Sequence, residues 1–303
     1  MANEHWSSVY FTQPILSITP LTGGLQHQVD LIELADQGKW IGKKFSSPTW
    51  LGATTRQRLE FTQAVATIAA NQLGLTFSAR HSEANDFLLT VDGHFALILP
   101  YCEGKVLEAV DSKQAYILGN RLAQLHLLPF PAHGAERFPA IIPPEGLAHI
   151  PWLGELINHC NRYRDYDAQN RVVSHRDIHV NNIIWRDSET PHFIDWESAG
   201  YIHPFVELIG LAVNCAGMAH SVFATEQFQA TLLGYAECAG HLPAMDAILW
   251  QQTLHSWLLW LTYCLKRGWE KEAWQTIKVI EFIGDSMENM QQLYDGLYLT
   301  FKK

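Results

Sequence analysis

A chain of 303 residues can form one large domain or two ordinary ones, each with its own core. Its formal net charge of −10 argues against a general nucleic-acid binder, since phosphate contacts need clustered Lys and Arg, and 48% hydrophobic residues is normal for a folded protein. Cys102, Cys160, Cys215, Cys238 and Cys264 are odd in number, widely spaced and without a CxxC, so reduced thiols are expected rather than a disulfide framework.

The N-terminus, MANEHWSSVYF, lacks the basic and apolar regions of a signal peptide. The most apolar window, SWLLWLTYCL at 256–265, is about half the length that crosses a bilayer. A soluble, cytoplasmic protein with no membrane contact is expected. Residues 15–45 alternate apolar stretches, broken at Gly23-Gly24 and at the turn Asp36-Gln37-Gly38. They predict two or three antiparallel strands with a Gly-bearing loop between the first two. Residues 54–73 predict a helix, with Leu59, Val65, Ile68, Ala69 and Leu73 near one face. Two strands, FLLTVDG and HFALILPY, flank a turn at Asp92-Gly93.

CEGKVL, residues 102–107, is a polar break, and a lobe boundary is expected there, with residues 1–101 before it and 102–303 after. A helix follows over 115–128, marked by Ile117, Leu118, Leu122, Leu125 and Leu128. After a Pro-rich loop at 129–144, PWLGELINHCNRY reads as a helix, and RVVSH, NIIW and HFIDW as short strands. Four or five helices are expected from Phe205 onward, with breaks near residues 240–243 and Gly268. A small strand-rich lobe, a hinge and a larger helical lobe result, and a ligand cleft is expected between the lobes.

The chemistry is densest in SHRDIHVNNIIWRDSETPHFIDWESAG, residues 174–200. Asn182 stands five positions after Asp177, and Asp195 thirteen after Asn182. Adjacent hairpin strands would carry Asn182 and Asp195 toward one end, with Asp177 on the loop that enters it. Phosphoryl transfer needs positioning and charge neutralisation more than covalent help. Magnesium takes oxygen ligands and keeps several waters, so a carboxylate and an amide oxygen suffice. A separate carboxylate must orient the incoming hydroxyl and take its proton. Asp177 is the expected base, Asn182 and Asp195 the expected Mg2+ ligands, and His175 a residue that holds the loop. Asp187 reads as an ordinary turn residue.

HRDIHVNNIIW and FIDWESAG resemble the catalytic and metal-binding motifs of the aminoglycoside phosphotransferase and choline kinase-like family. RLAQLH at 121–126, LILPYCEG, the Gly23-Gly24 loop, WIGKKF, Glu60 and AGYIHPFVELIGLA fall in the family's order, over about residues 15–215. The resemblance implies an α+β, protein-kinase-like two-lobe fold, with a small antiparallel-sheet N-lobe and a larger, mainly helical C-lobe. It implies an enzyme that uses ATP and Mg2+. Lys43 takes the place of the lysine that reaches the phosphates, although Lys44 is its neighbour and strand alternation lets only one of them enter a cleft. Glu60 takes the place of its helix partner. Gly23 and Gly24 take the place of the phosphate-covering loop, and Tyr101 or Cys102 that of the main-chain donors to adenine, since Pro100 has no N–H. Arg176 stands where the family often has Gly, and Glu207 where it commonly has Asp.

His179 follows Asp177 where protein kinases usually carry Lys. Only nine positions separate Asp195 from Pro204, too few for a long activation segment. A small-molecule hydroxyl acceptor is therefore expected over a protein one. Residues 101–303 carry −8 of the net charge and hold Trp250, Trp257, Trp260, Trp269 and Trp274, which suits a cationic acceptor like an aminoglycoside, choline or thiamine, though Trp at helical spacing is more often core. The alternatives are a protein Ser/Thr kinase-like enzyme and a catalytically silent nucleotide-binding module.

Overall fold

Strand alternation builds the first part of the protein. The computed structural model describes residue 6 and residues 10–11, 13–22, 24, 26–82, 86–144, 147 and 150–301. The chain divides into two units, Met1–Glu103 and Gly104–Lys303. In the first, β1 (Ile15–Pro20), β2 (Gln28–Leu34), β3 (Lys39–Lys44), β4 (Leu89–Val91) and β5 (His94–Pro100) form an antiparallel sheet in the order β1-β2-β3-β5-β4. Ile32 and Leu34 of β2 join Ala96 and Ile98 of β5 in a core that Trp6 and Phe11 also enter. The Trp6 indole donates to Asp30 at 2.8 Å. It lies so close to Gly42, opposite Asp30 in the register, that a Cβ there would come within 2.5 Å of the ring.

A second cluster, Phe45, Leu59, Ala79, Leu88 and Leu97, includes Leu59 from α1 (Arg56–Leu73). Thr55 caps that helix by accepting from the Arg58 N–H, which leaves one fewer unpaired donor at its start. Lys43 is the cross-strand partner of Leu97, so its side chain shares this face. Lys44 points the other way, to Asp92 at 3.2 Å.

The second unit contains β6 (Lys105–Val106), α2 (Ser112–His126), α3 (Pro151–Arg162), β7 (Val172–Ser174), β8 (Ile183–Trp185), β9 (Pro191–Phe193), β10 (Gly200–Ile202) and six further helices. These are α4 (Pro204–Cys215), α5 (Thr225–Ala239), α6 (Ala247–Gln252), α7 (His255–Arg267), α8 (Glu270–Asp285) and α9 (Met287–Phe301). The region from Phe205 onward therefore holds more helices than expected. β8 and β9 form the expected hairpin, with Ile183 opposite Phe193. Two pairings were not legible in the sequence: β10 on β7, and β6, inside the supposed polar break, on β8. Asp111 and Gln114 close a capping box at α2, which starts before the apolar rhythm does. Among the described residues no helix is long and apolar enough to cross a membrane.

Candidate active site

The loop after β7 is locked from several sides. His175 is fully buried, donates from Nε2 to the Ile194 carbonyl at 2.8 Å, and accepts the Asp177 N–H at Nδ1. Its ring packs edge-on against Trp196, 4.6 Å between centroids. Burial lowers its proton affinity, the neutral form its two bonds require. His175 thus ties the Asp177 loop to the segment that carries Asp195, the loop-holding role expected of it.

Arg176 has φ of 68°, a left-handed conformation that is costly for a side chain with a Cβ. It is held there by bonds made far away in sequence. Its N–H donates to the Glu207 carboxylate, and its guanidinium donates to the Ser198 and Glu136 carbonyls while lying over Phe138 at 4.8 Å. Glu207, buried on α4, also receives a bond of 2.8 Å from His126 of α2, which is bonded in turn to the Tyr235 hydroxyl of α5. Burial alone would raise the Glu207 pKa, but the His126 bond and the other donors hold it below the ordinary carboxylate value.

Asp177 sits with its side chain 30% exposed. The Asn182 amide donates to the Asp177 carbonyl at 3.0 Å and, at 3.4 Å, to its carboxylate. The Asn182 carbonyl accepts the Ile194 N–H at 3.0 Å, so the two ends of the β8–β9 hairpin meet beside Asp177. His179 Nε2 lies 3.8 Å from the Asp177 carboxylate. Desolvation raises the Asp177 pKa; His179 and His175 oppose this, while Glu197 and Asp195 add to it. Glu197 is an acid of the site that sequence reasoning passed over, although it stands two positions after Asp195. Asp187 accepts from Glu189 and Thr190, as a turn residue does.

The oxygen donors suit magnesium. The Asn182 Nδ2 is turned to Asp177, and its Oδ1 accepts no bond among the described residues. Asp195, with φ of 64°, lies close enough for its charge to act on the Asp177 carboxyl. No set of three His, Cys, Asp or Glu side chains forms a metal cage among the described residues. A partial shell is what an ion completed by phosphate oxygens and water needs.

In the first unit Lys43 is buried, its ammonium 5.5 Å from the centre of the Phe45 ring. Glu60 lies on the exposed side of α1 and, among the described residues, pairs with Arg56 at 3.2 Å rather than with Lys43. Arg58, Leu59, Phe61 and Thr62 of α1 are buried, and Glu60 falls on the exposed strip of the helix. The Tyr101 N–H donates to the Lys39 carbonyl and is committed to the sheet. Cys102 is buried next to it. Gly24 is exposed, and Gly23 lies outside the described residues. Of the tryptophans, Trp250 is core, packed on Phe205 and Tyr294, and the Trp269 ring is already stacked by Arg267 at 5.5 Å.

The family described as APH, phosphotransferase enzyme family, matches residues 17–246. No curated protein sequence matches the chain. Spectinomycin phosphotransferase, solved with ADP and spectinomycin, is similar at 12% identity and a TM-score of 0.65, over 96% of this chain and 92% of that one. Amicoumacin kinase, solved with AMP-PNP, Ca2+ and Ami, is similar at 10% identity and a TM-score of 0.67, over 92% and 88%. The choline kinase of Streptococcus pneumoniae is similar at 15% identity and a TM-score of 0.58, over 89% and 94%. Likeness at such low identity shows the fold, the expected α+β protein-kinase-like one.

Proposed function

The chain belongs to the phosphotransferase enzyme family, and on that premise we propose that it transfers the γ-phosphate of ATP to a hydroxyl of a small, cationic molecule. The observation that carries this is the joint made by Asn182, whose amide bonds Asp177 while its carbonyl bonds the Ile194 N–H next to Asp195. Asp177 orients the acceptor hydroxyl and takes its proton, and His179 stands beside its carboxylate. Asn182 Oδ1 and the Asp195 carboxylate would hold Mg2+, which when bound neutralises charge on the phosphate oxygens. His175 and Arg176 keep the loop in place without touching the reactants.

Residues 1–101 serve the nucleotide and residues 102–303 the chemistry and the acceptor. Lys43, with the loop around Gly23 and Gly24, serves the phosphates. Tyr101 and Cys102 stand at the place of the adenine contact, and the Tyr101 N–H is spent on the Lys39 carbonyl. The ADP and AMP-PNP in the spectinomycin phosphotransferase and amicoumacin kinase structures support a nucleotide donor. The charge of −8 on residues 101–303 supports a cationic acceptor; Trp250, packed in the core, adds nothing to it.

The test is ADP release from Mg·ATP against aminoglycosides, choline, ethanolamine, thiamine, sugars and homoserine. A hit is expected, with the rate about 10²- to 10⁴-fold lower in Asp177→Asn and nucleotide affinity nearly unchanged. Full activity in that variant would remove Asp177 from the reaction.

A further inference from the structure

The second unit is acidic, yet one of its cavities is lined by three arginines. Arg137, Arg164 and Arg171 face a cavity of about 40 Å³, together with Tyr163, Tyr201 and His255 among others. No Asp or Glu is among its described lining residues, and neither are Asp177, Asn182 and Asp195. Residues 101–303 contain fifteen Lys and Arg against twenty-three acids, so a cavity wall with three guanidinium groups and no carboxylate is not what composition alone would produce.

The arginines differ in how far they are neutralised. Arg137 pairs with Asp165 at the exposed rim. Arg171 is 3.9 Å from the same Asp165 and donates to the Arg164 carbonyl. Burial lowers the Arg171 pKa and Arg137 and Arg164 add to this, while Asp165 and, more weakly, Asp167 oppose it. Arg164 has no ion pair among the described residues, and its Nε is buried without a hydrogen-bond partner. Arg164 as a whole is half-buried, and it is this one buried N–H that a ligand oxygen would satisfy. His255 adds no further positive charge near neutral pH, since burial takes its pKa down to about 4 and its Nε2 donates to the Pro139 carbonyl.

We propose that this cavity binds a phosphate-type oxyanion at a site separate from the reacting groups, with Arg164 and Arg171 as its inner donors and Arg137 at its rim. By the same measure a water needs about 10–15 Å³, so the cavity takes a single anionic head group and not a whole metabolite. Three guanidinium forks offer more donors than the two oxygens of a carboxylate can use, whereas a phosphate group presents at least three acceptor oxygens. The ligand is inorganic phosphate, or the phosphate of a small ester whose remainder lies outside.

The experiment is thermal unfolding of the full chain in phosphate, glycerol phosphate and chloride, matched for ionic strength. Three proteins are compared: the natural sequence, Arg164→Gln and Lys43→Met. The natural sequence should be stabilised by phosphate in a saturable way that chloride does not reproduce. The response should persist in Lys43→Met, which alters only the residue assigned to nucleotide phosphates, and the apparent Kd should rise at least about tenfold in Arg164→Gln. A stronger response to glycerol phosphate than to phosphate assigns an ester; an equal or weaker one assigns the free ion. If Arg164→Gln does not fold, Arg137→Gln, at the exposed rim, takes its place. Phosphate acting no better than chloride overturns the proposal. So does a response that survives the arginine substitution, or one that disappears in Lys43→Met instead.

Discussion

Glu207 is the single residue on which the Asp177 loop depends most. Its carboxylate receives the Arg176 N–H and the His126 ring, both buried. Glu207→Ala leaves those two donors without a partner, and at about 1–3 kcal/mol per unsatisfied group the loss should be about 3 kcal/mol or more in chemical denaturation. His255 gives a pH dependence. Burial first, opposed by its bond to Pro139 and then reinforced by Arg164, Arg171 and Arg176, takes it from 6.5 down to about 4. The unfolded chain therefore binds the proton more readily. The contribution to stability is complete above pH 6.5 and is lost as pH falls from 6.5 through 4. Its full size is about 3 kcal/mol. The unfolding free energy of the natural sequence should therefore fall more steeply over that window than that of His255→Phe. At this scale the closeness of His175, Asp177 and Asn182 was legible because they lie within one short stretch. The exposed place of Glu60 was not, since register on a helix is set by what packs beneath it.

At the scale of elements, the backbones of α2 and α5 are in direct contact. A Cβ at Gly119 would stand 1.9 Å from the Thr231 carbonyl oxygen, and one at Gly234 would stand 2.0 Å from that of Tyr116. The obstructing atoms are main chain and cannot rotate away. Gly119→Ala and Gly234→Ala should each cost at least about 1–3 kcal/mol as overpacking, although Ala is the better helix former. For a unit of this size that is a fall of roughly 2–12 °C in Tm, read by calorimetry. The same approach brings His126 of α2 to Tyr235 of α5, so the two variants should also weaken the support under the Asp177 loop. The helical rhythm of 115–128 announced α2, but nothing local announced its partner.

For the whole molecule, charge makes the prediction. With −10 in total and −8 after residue 100, a cationic acceptor is drawn to the protein through solvent. Raising salt shortens the Debye length from about 10 Å at 0.1 M to about 3 Å at 1 M. The KM for a cationic acceptor should therefore rise with salt, and the KM for a neutral alcohol should stay level. Equal salt sensitivity for both would remove the cationic preference. The anion cavity runs against the net charge, and only packing could concentrate three arginines there.

The sequence by itself determined the strands and helix of residues 15–100, the helix near 115–128 and the β8–β9 hairpin, because alternation, helical spacing and a short hairpin are local properties. The tertiary structure alone decided that Lys43 lies opposite Leu97, that β10 pairs with β7, and that Glu207 meets a histidine 81 positions away. It also decided which arginines share a cavity. Each of those contacts joins distant segments, and their positions follow from how whole helices and strands fill space.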